Sequence, residues 1–161
     1  MDNDTTAAQT EGLKLLARRE LSVEGLRARL RDRGFPREEI EAAIEQLTQS
    51  GALDDNRVAR AYAQTAGSVK GRGRLRVMRE LLQMGIHSDV ASQALGEVFG
   101  ELDERALIAQ ALQKKLRGQT KLTDQTEFAR LYQYLMRQGF SPAGVTAALR
   151  RFGSGRGLDQ D

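Results

Sequence analysis

The chain has 161 residues, 40% of them hydrophobic and 29% charged, with no cysteine, no tryptophan and a net charge of +3. That composition suits a folded, well-solvated domain with a Leu/Ala/Val/Ile core. It excludes disulfides, cysteine-ligated zinc and thiol chemistry. No apolar run approaches the roughly 20 residues of a membrane span. The acidic, polar start at Met1 is unlike a signal peptide, so the expected location is cytoplasmic.

From the N-terminus, residues 1–10 are polar and read as disordered. A helical stretch follows at residues 13–19. Three segments then align around a glycine, at residues 22–45, 73–96 and 127–150. The glycines are Gly34, Gly85 and Gly139. Four residues before each stands a leucine (Leu30, Leu81, Leu135), and one residue after stands Phe35, Ile86 or Phe140. Apolar residues four apart share a helix face. A glycine takes the left-handed conformation that ends such a helix, and the apolar residue after it packs back on the last turn. A second amphipathic helix then begins, with Pro36 or Pro142 near its first turn.

Each unit is preceded by a further helical stretch, at residues 13–19, 57–65 and 104–116. The third has Asp103 and Glu104 at its start and Lys114, Lys115 and Arg117 at its end, matching the helix dipole. The pattern predicts an all-α protein of three tandem three-helix repeats, at residues 11–53, 54–100 and 101–152. Residues 67–73 and 118–123 read as loops, and the tail 153–161 as disordered. Strands are not expected, because strict alternation is absent.

Catalytic constellations are missing from the pattern. His87 follows a turn glycine with no spacing that supplies a nucleophile or an orienting partner. Gly71-Arg72-Gly73 follows a helix and lacks a third glycine, which argues against a dinucleotide site. Glu38, Glu39, Glu41 and Glu45 lie in a helix's early turns with no histidine beside them, so they read as a solvated face. No enzyme activity, metal or cofactor is expected.

Charge carries the functional signal. Residues 11–55 hold 8 basic and 10 acidic side chains, whereas 56–99 hold 7 and 3, and 100–152 hold 9 and 5. From Asn56 to Arg79 no acidic residue occurs. A helix is expected from Arg72, with Arg72, Arg76 and Arg79 stacked on one fully outward face and Lys70 and Arg74 beside them. Such a row suits phosphates or a carboxylate-rich protein face. Secondary basic candidates are Arg27, Arg31, Lys114, Lys115, Arg117, Arg150 and Arg151. Arg27 and Arg31 are equally explained by snorkelling around a core with pairing to Glu38 or Glu41. No aromatic residues interleave with the basic ones, so any nucleic-acid contact is expected on the backbone.

The chain resembles the RecX family of bacterial RecA regulators over about residues 12–152. The resemblance rests on LLARRELS (15–22) with Leu26, Leu30, Gly34 and Phe35, on GALDDNRVA (51–59), on GRGRLRVMRELLQMGI (71–86) and on RLYQYLMRQGFSPAGV (130–145). Leu21 stands where the family often has His, Val58 where it often has Phe, and Gln138 where a basic residue is usual. The resemblance implies repeats stacked into an elongated, curved, right- or left-handed solenoid-like unit. It also implies a monomer that binds the RecA–DNA filament and inhibits its recombinase, ATPase and co-protease activities. Recombination, DNA repair and the SOS response are thereby modulated. In some relatives single- and double-stranded DNA are bound directly. The alternative readings are a non-specific DNA-binding helical protein acting without RecA, and a helical scaffold for an unrelated protein.

Overall fold

The computed structural model describes residues 2–118, 122 and 124–153. Among them are nine α-helices and no strand. They are α1 (Asp2–Arg18), α2 (Val23–Asp32), α3 (Arg37–Gln49), α4 (Asp55–Gln64), α5 (Arg74–Gln83), α6 (Ser88–Phe99), α7 (Glu104–Leu116), α8 (Gln125–Gln138) and α9 (Pro142–Gly153).

The three glycine turns form as the spacing predicts. Gly34, Gly85 and Gly139 have φ of 87°, 79° and 97°. In each, the residue after the glycine donates its N–H to the leucine five positions before it. These bonds are Phe35 to Leu30 at 3.3 Å, Ile86 to Leu81 at 3.2 Å and Phe140 to Leu135 at 3.4 Å. Each glycine N–H goes to the carbonyl three residues back: Arg31, Leu82 and Met136. This is the paired bonding of a Schellman end. It turns the chain sharply and brings the next helix onto the same apolar stripe.

The N-terminus departs from the expected disorder. α1 starts at Asp2, well before the first helical stretch that the composition suggests. Ala8, Gly12 and Leu15, spaced four and three, are all buried. A Cβ on Gly12 would stand 2.8 Å from Leu47 in α3, so small residues let α1 lie close on its neighbour. A stripe of Ala and Gly carries little hydrophobicity, which is why a polar composition hides it. At the other end Gly153 closes α9, while residues 154–161 lie outside the described residues. So do residues 119–121 and 123 of the expected loop.

Two compact units can be distinguished, and they do not follow the repeats. One takes in the described residues of Met1–Tyr62 together with Glu80–Ala94; the other takes in Ala63–Arg79 and the described residues of Leu95–Asp161. The division passes through α4, α5 and α6, the helices of the second repeat. In the first unit α1, α2 and α3 enclose Leu15, Leu26, Leu30, Ile40, Ile44 and Leu47. In the second, α7, α8 and α9 enclose Ile108, Leu112, Leu131, Leu135, Phe140 and Leu149. Leu21 and Val58, two departures from the family pattern, are both buried, at 5% exposure.

The start of one repeat's middle helix joins the glycine turn of the next. Ser22 N-caps α2 by accepting the Gly25 N–H at 3.0 Å, and its hydroxyl donates to the Met84 carbonyl at 2.7 Å. One repeat on, Gly73 donates its N–H to the Gln138 carbonyl at 2.7 Å. Met84 and Gln138 each stand immediately before a turn glycine.

Candidate functional site

The segment from Thr65 to Arg79 holds the strongest basic signal, and its backbone is fixed at several points. The loop expected at residues 67–73 is shortened to residues 70–73, because α4 does not end at once. It widens into a π-helical turn, Thr65–Val69. Ala66 and Gly67 are buried there, and a Cβ on Gly67 would meet Leu102 at 3.0 Å and Phe99 at 3.1 Å. The Lys70 N–H reaches the Thr65 carbonyl at 3.0 Å and the Arg72 N–H the Ala66 carbonyl at 2.8 Å, with Gly71 left-handed between them. Gly73 is then bonded to Gln138, and the Leu75 N–H to the Gly139 carbonyl at 3.0 Å. A Cβ on Gly73 would lie 2.3 Å from the Gly139 carbonyl carbon, so only glycine permits this approach.

That backbone corrects the expected arginine row. α5 begins at Arg74, so Arg72 precedes the helix and is half-buried. Arg76 is also half-buried. Its Cβ lies against the Gly139 turn, and its guanidinium donates to the Gln138 side-chain oxygen at 3.4 Å. The helical wheel places Arg76 outward because it counts only its own helix. Gln138, the neutral residue at a usually basic position, is its partner. Lys70, Arg74 and Arg79 are exposed and make no ion pair with any described residue. Beside them stand two apolar side chains that charge alone does not reveal: Val69 at 74% exposure and Leu75 at 50%. Leu75 was findable, since Val77 and Leu81 define the buried stripe of α5 and Leu75 falls off it.

The secondary candidates differ in kind. Arg27 is engaged: its guanidinium donates to Glu41 at 2.7 and 3.2 Å and also pairs with Glu24. The Glu41 hydrogen bond raises the Arg27 pKa, and Arg27 in turn holds Glu41 below the ordinary carboxylate value. Arg31 is exposed beside this network. Lys114, Lys115 and Arg117 are exposed at the end of α7, with the Lys115 ammonium 4.8 Å from the Tyr134 ring centroid. Arg150 is exposed and Arg151 half-buried near the end of α9. Arg27 and Arg31 belong to the first compact unit; the other basic candidates named here belong to the second.

No group of His, Asp and Glu among the described residues could hold a metal ion. His87 is exposed, and its Nδ1 accepts the Asp89 N–H at 3.2 Å at the start of α6. Glu41, of the acidic cluster, is the partner of Arg27. No described helix is long and apolar enough to cross a membrane.

Comparison with known proteins accounts for this arrangement. The models of the first, second and third three-helix domains of RecX match residues 8–47, 54–95 and 103–149. The chain belongs to the RecX family. It is 33% identical over 149 residues to a regulatory protein RecX of Pelodictyon phaeoclathratiforme, covering 92% of this chain and 91% of the relative. It is 32% identical to that of Pseudomonas fluorescens, covering 95% and 94%. The crystal structure of RecX from Lactobacillus salivarius superposes with a TM-score of 0.78 at 17% identity, over 94% of this chain and 98% of that one, which shows a shared fold. The RecX family is one of regulatory proteins, consistent with helical repeats that carry surface charge.

Proposed function

We propose that this RecX-family chain regulates RecA by binding the RecA–DNA filament and inhibiting its recombinase, ATPase and co-protease activities. It acts without catalysis of its own, as a cytoplasmic monomer. The observation that carries the reading is the fixed basic turn. Lys70, Arg74 and Arg79 project from a backbone fastened to Gln138 and Gly139, with no ion pair among the described residues. With the backbone already fixed, binding has only the side-chain freedom of these cations left to remove, and their charge suits a partner's carboxylates or phosphates. Arg72 and Arg76 are half-buried at the base of the turn, Arg76 against the Gly139 turn. Lys114, Lys115, Arg117 and Arg150 extend the same sign of charge. Binding to the filament would inhibit by blocking its growth or promoting its disassembly.

The test is the single-stranded-DNA-dependent ATPase of the cognate RecA, titrated with this chain well below the RecA concentration. Inhibition is expected at substoichiometric amounts. It should be lost on triple charge reversal, Lys70→Glu with Arg74→Glu and Arg79→Glu. Inhibition appearing only when the chain is abundant enough to coat the DNA would favour the DNA-binding alternative, whose affinity falls steeply with salt. No effect at any ratio would leave the RecA reading without support.

A further inference from the structure

Immediately beside the basic turn lies a groove of about 240 Å³ within the second compact unit. Its apolar lining is Leu75, Phe99, Leu102, Leu107 and Phe140, with Arg74 and Glu104 among its polar residues. We propose that this groove takes an apolar side chain from an acidic segment of a partner protein, with Lys70 and Arg74 receiving the flanking carboxylates. The role of the segment in filament regulation rests on the function proposed above.

Size argues first. A pocket for a small-molecule ligand typically holds ~300–1,000 Å³, and this groove is smaller. It suits a single anchoring side chain from a longer segment lying across the surface. Exposure argues next. Leu75 is half in solvent on a rigid turn, and Val69 on the same turn is more exposed still. A large apolar side chain in water at the mouth of an apolar groove gains by being covered.

Charge selects the partner. Lys70 and Arg74 make no ion pair with any described residue, and no acidic residue occurs between Asn56 and Arg79. The groove's own carboxylate, Glu104, is already engaged: it accepts the Ser141 N–H at 2.7 Å and the Ser141 hydroxyl at 2.9 Å. Glu104 keeps its charge but is held at the start of α9 by Ser141, so the charged groups left to receive a partner's carboxylates are Lys70 and Arg74. A nucleic-acid backbone would satisfy them but leave the leucine and the groove uncovered. An acidic segment with an apolar anchor satisfies both. The Gly73–Gly139 approach supplies rigidity, since it fixes Arg74 and Leu75 before any partner arrives.

The experiment needs no RecA. A fluorescent aspartate-rich synthetic peptide with one central leucine is titrated onto the full chain, alongside its twin with serine in that place. Burying the anchor should make the leucine peptide bind on the order of tenfold tighter than the serine twin. Leu75→Asp should erase that difference, and Arg74→Glu should weaken both peptides together. Thermal melts of both variants check that they fold, as expected for exposed positions. Equal binding of the two peptides overturns the proposal. So does unchanged leucine-peptide binding by a folded Leu75→Asp chain, or displacement of the leucine peptide by oligothymidylate that binds Leu75→Asp as well as wild type. Discriminating peptide binding without inhibition of RecA would uphold the groove and remove the proposed function. Inhibition of RecA without discrimination would do the reverse.

Discussion

Ser22 and Gly73 occupy the same place in consecutive repeats, and both supply a donor to the carbonyl before the next turn glycine. They do so at different ranges. Ser22 reaches Met84 with a side-chain hydroxyl, while the Glu24 side chain packs on Gly85. Gly73 reaches Gln138 with its own N–H, so two backbones touch. The third repeat offers neither solution. Its corresponding residue, Glu127, is already inside α8, and its N–H is taken by Asp124 at 2.8 Å. A Cβ on Gly34, the first turn glycine, would meet nothing within 4 Å. One joint thus tolerates side-chain adjustment and the other does not. The intolerant one holds the basic turn.

Substitution at the close joint should show the largest effect. Gly73→Ala is expected to cost about 3 kcal/mol by denaturant unfolding, because its Cβ meets backbone rather than a flexible side chain. Gly73→Ser, which copies the other joint's residue, should be no better. A Ser variant as stable as wild type would show that the two joints are interchangeable.

Gly139→Ala and Gly34→Ala separate contact from conformation. Both glycines have positive φ, but of the two only Gly139 is covered: a Cβ added there would overlap Arg76. Gly34→Ala should cost about 1 kcal/mol, the conformational part alone. Gly139→Ala should cost at least about 2 kcal/mol more. Equal losses would mean that the Arg76 contact yields easily.

Ser22→Ala removes an N-cap and the bond to Met84, and about 1–2 kcal/mol is expected. A smaller loss would mean that the outer joint is held by packing around Glu24 and Gly85 instead.

The smallest effect is electrostatic and lies in the first unit. Glu41 has a lowered folded pKa from its bond to Arg27, so its contribution is present above the unfolded value and lost as pH falls through the folded one. The pair is solvent-exposed, so Glu41→Gln should remove only about 0.5 kcal/mol at neutral pH and flatten part of the acid limb. Asp55 runs the other way. Burial raises its pKa, although it accepts the Val23 N–H at 2.9 Å. Its contribution is greatest at acid pH and falls as pH rises through the folded pKa. Asp55→Asn should therefore remove a loss of stability on the rising limb, measured by melts across the carboxylate range.

The sequence determined the local architecture. Leucine four before glycine, glycine, then an apolar residue specified three Schellman turns. These bonds close within six residues, so the pattern holds all the chemistry they need. The family was legible for the same reason, because its motifs are these turns and their helix faces. The sequence also marked the basic stretch but misjudged which arginines are available. Arg76 reads as outward on its own helix, and only Gln138, 62 residues away, shows it half-buried. Leu75 falls off the apolar stripe of its own helix, but the groove beside it was invisible, since Phe99, Leu107 and Phe140 line it from three other parts of the chain. Exposure is a property of what packs against a residue, and at this joint the packing partners are remote in sequence. Periodicity fixes a face; only the tertiary contacts decide whether that face meets water or another backbone.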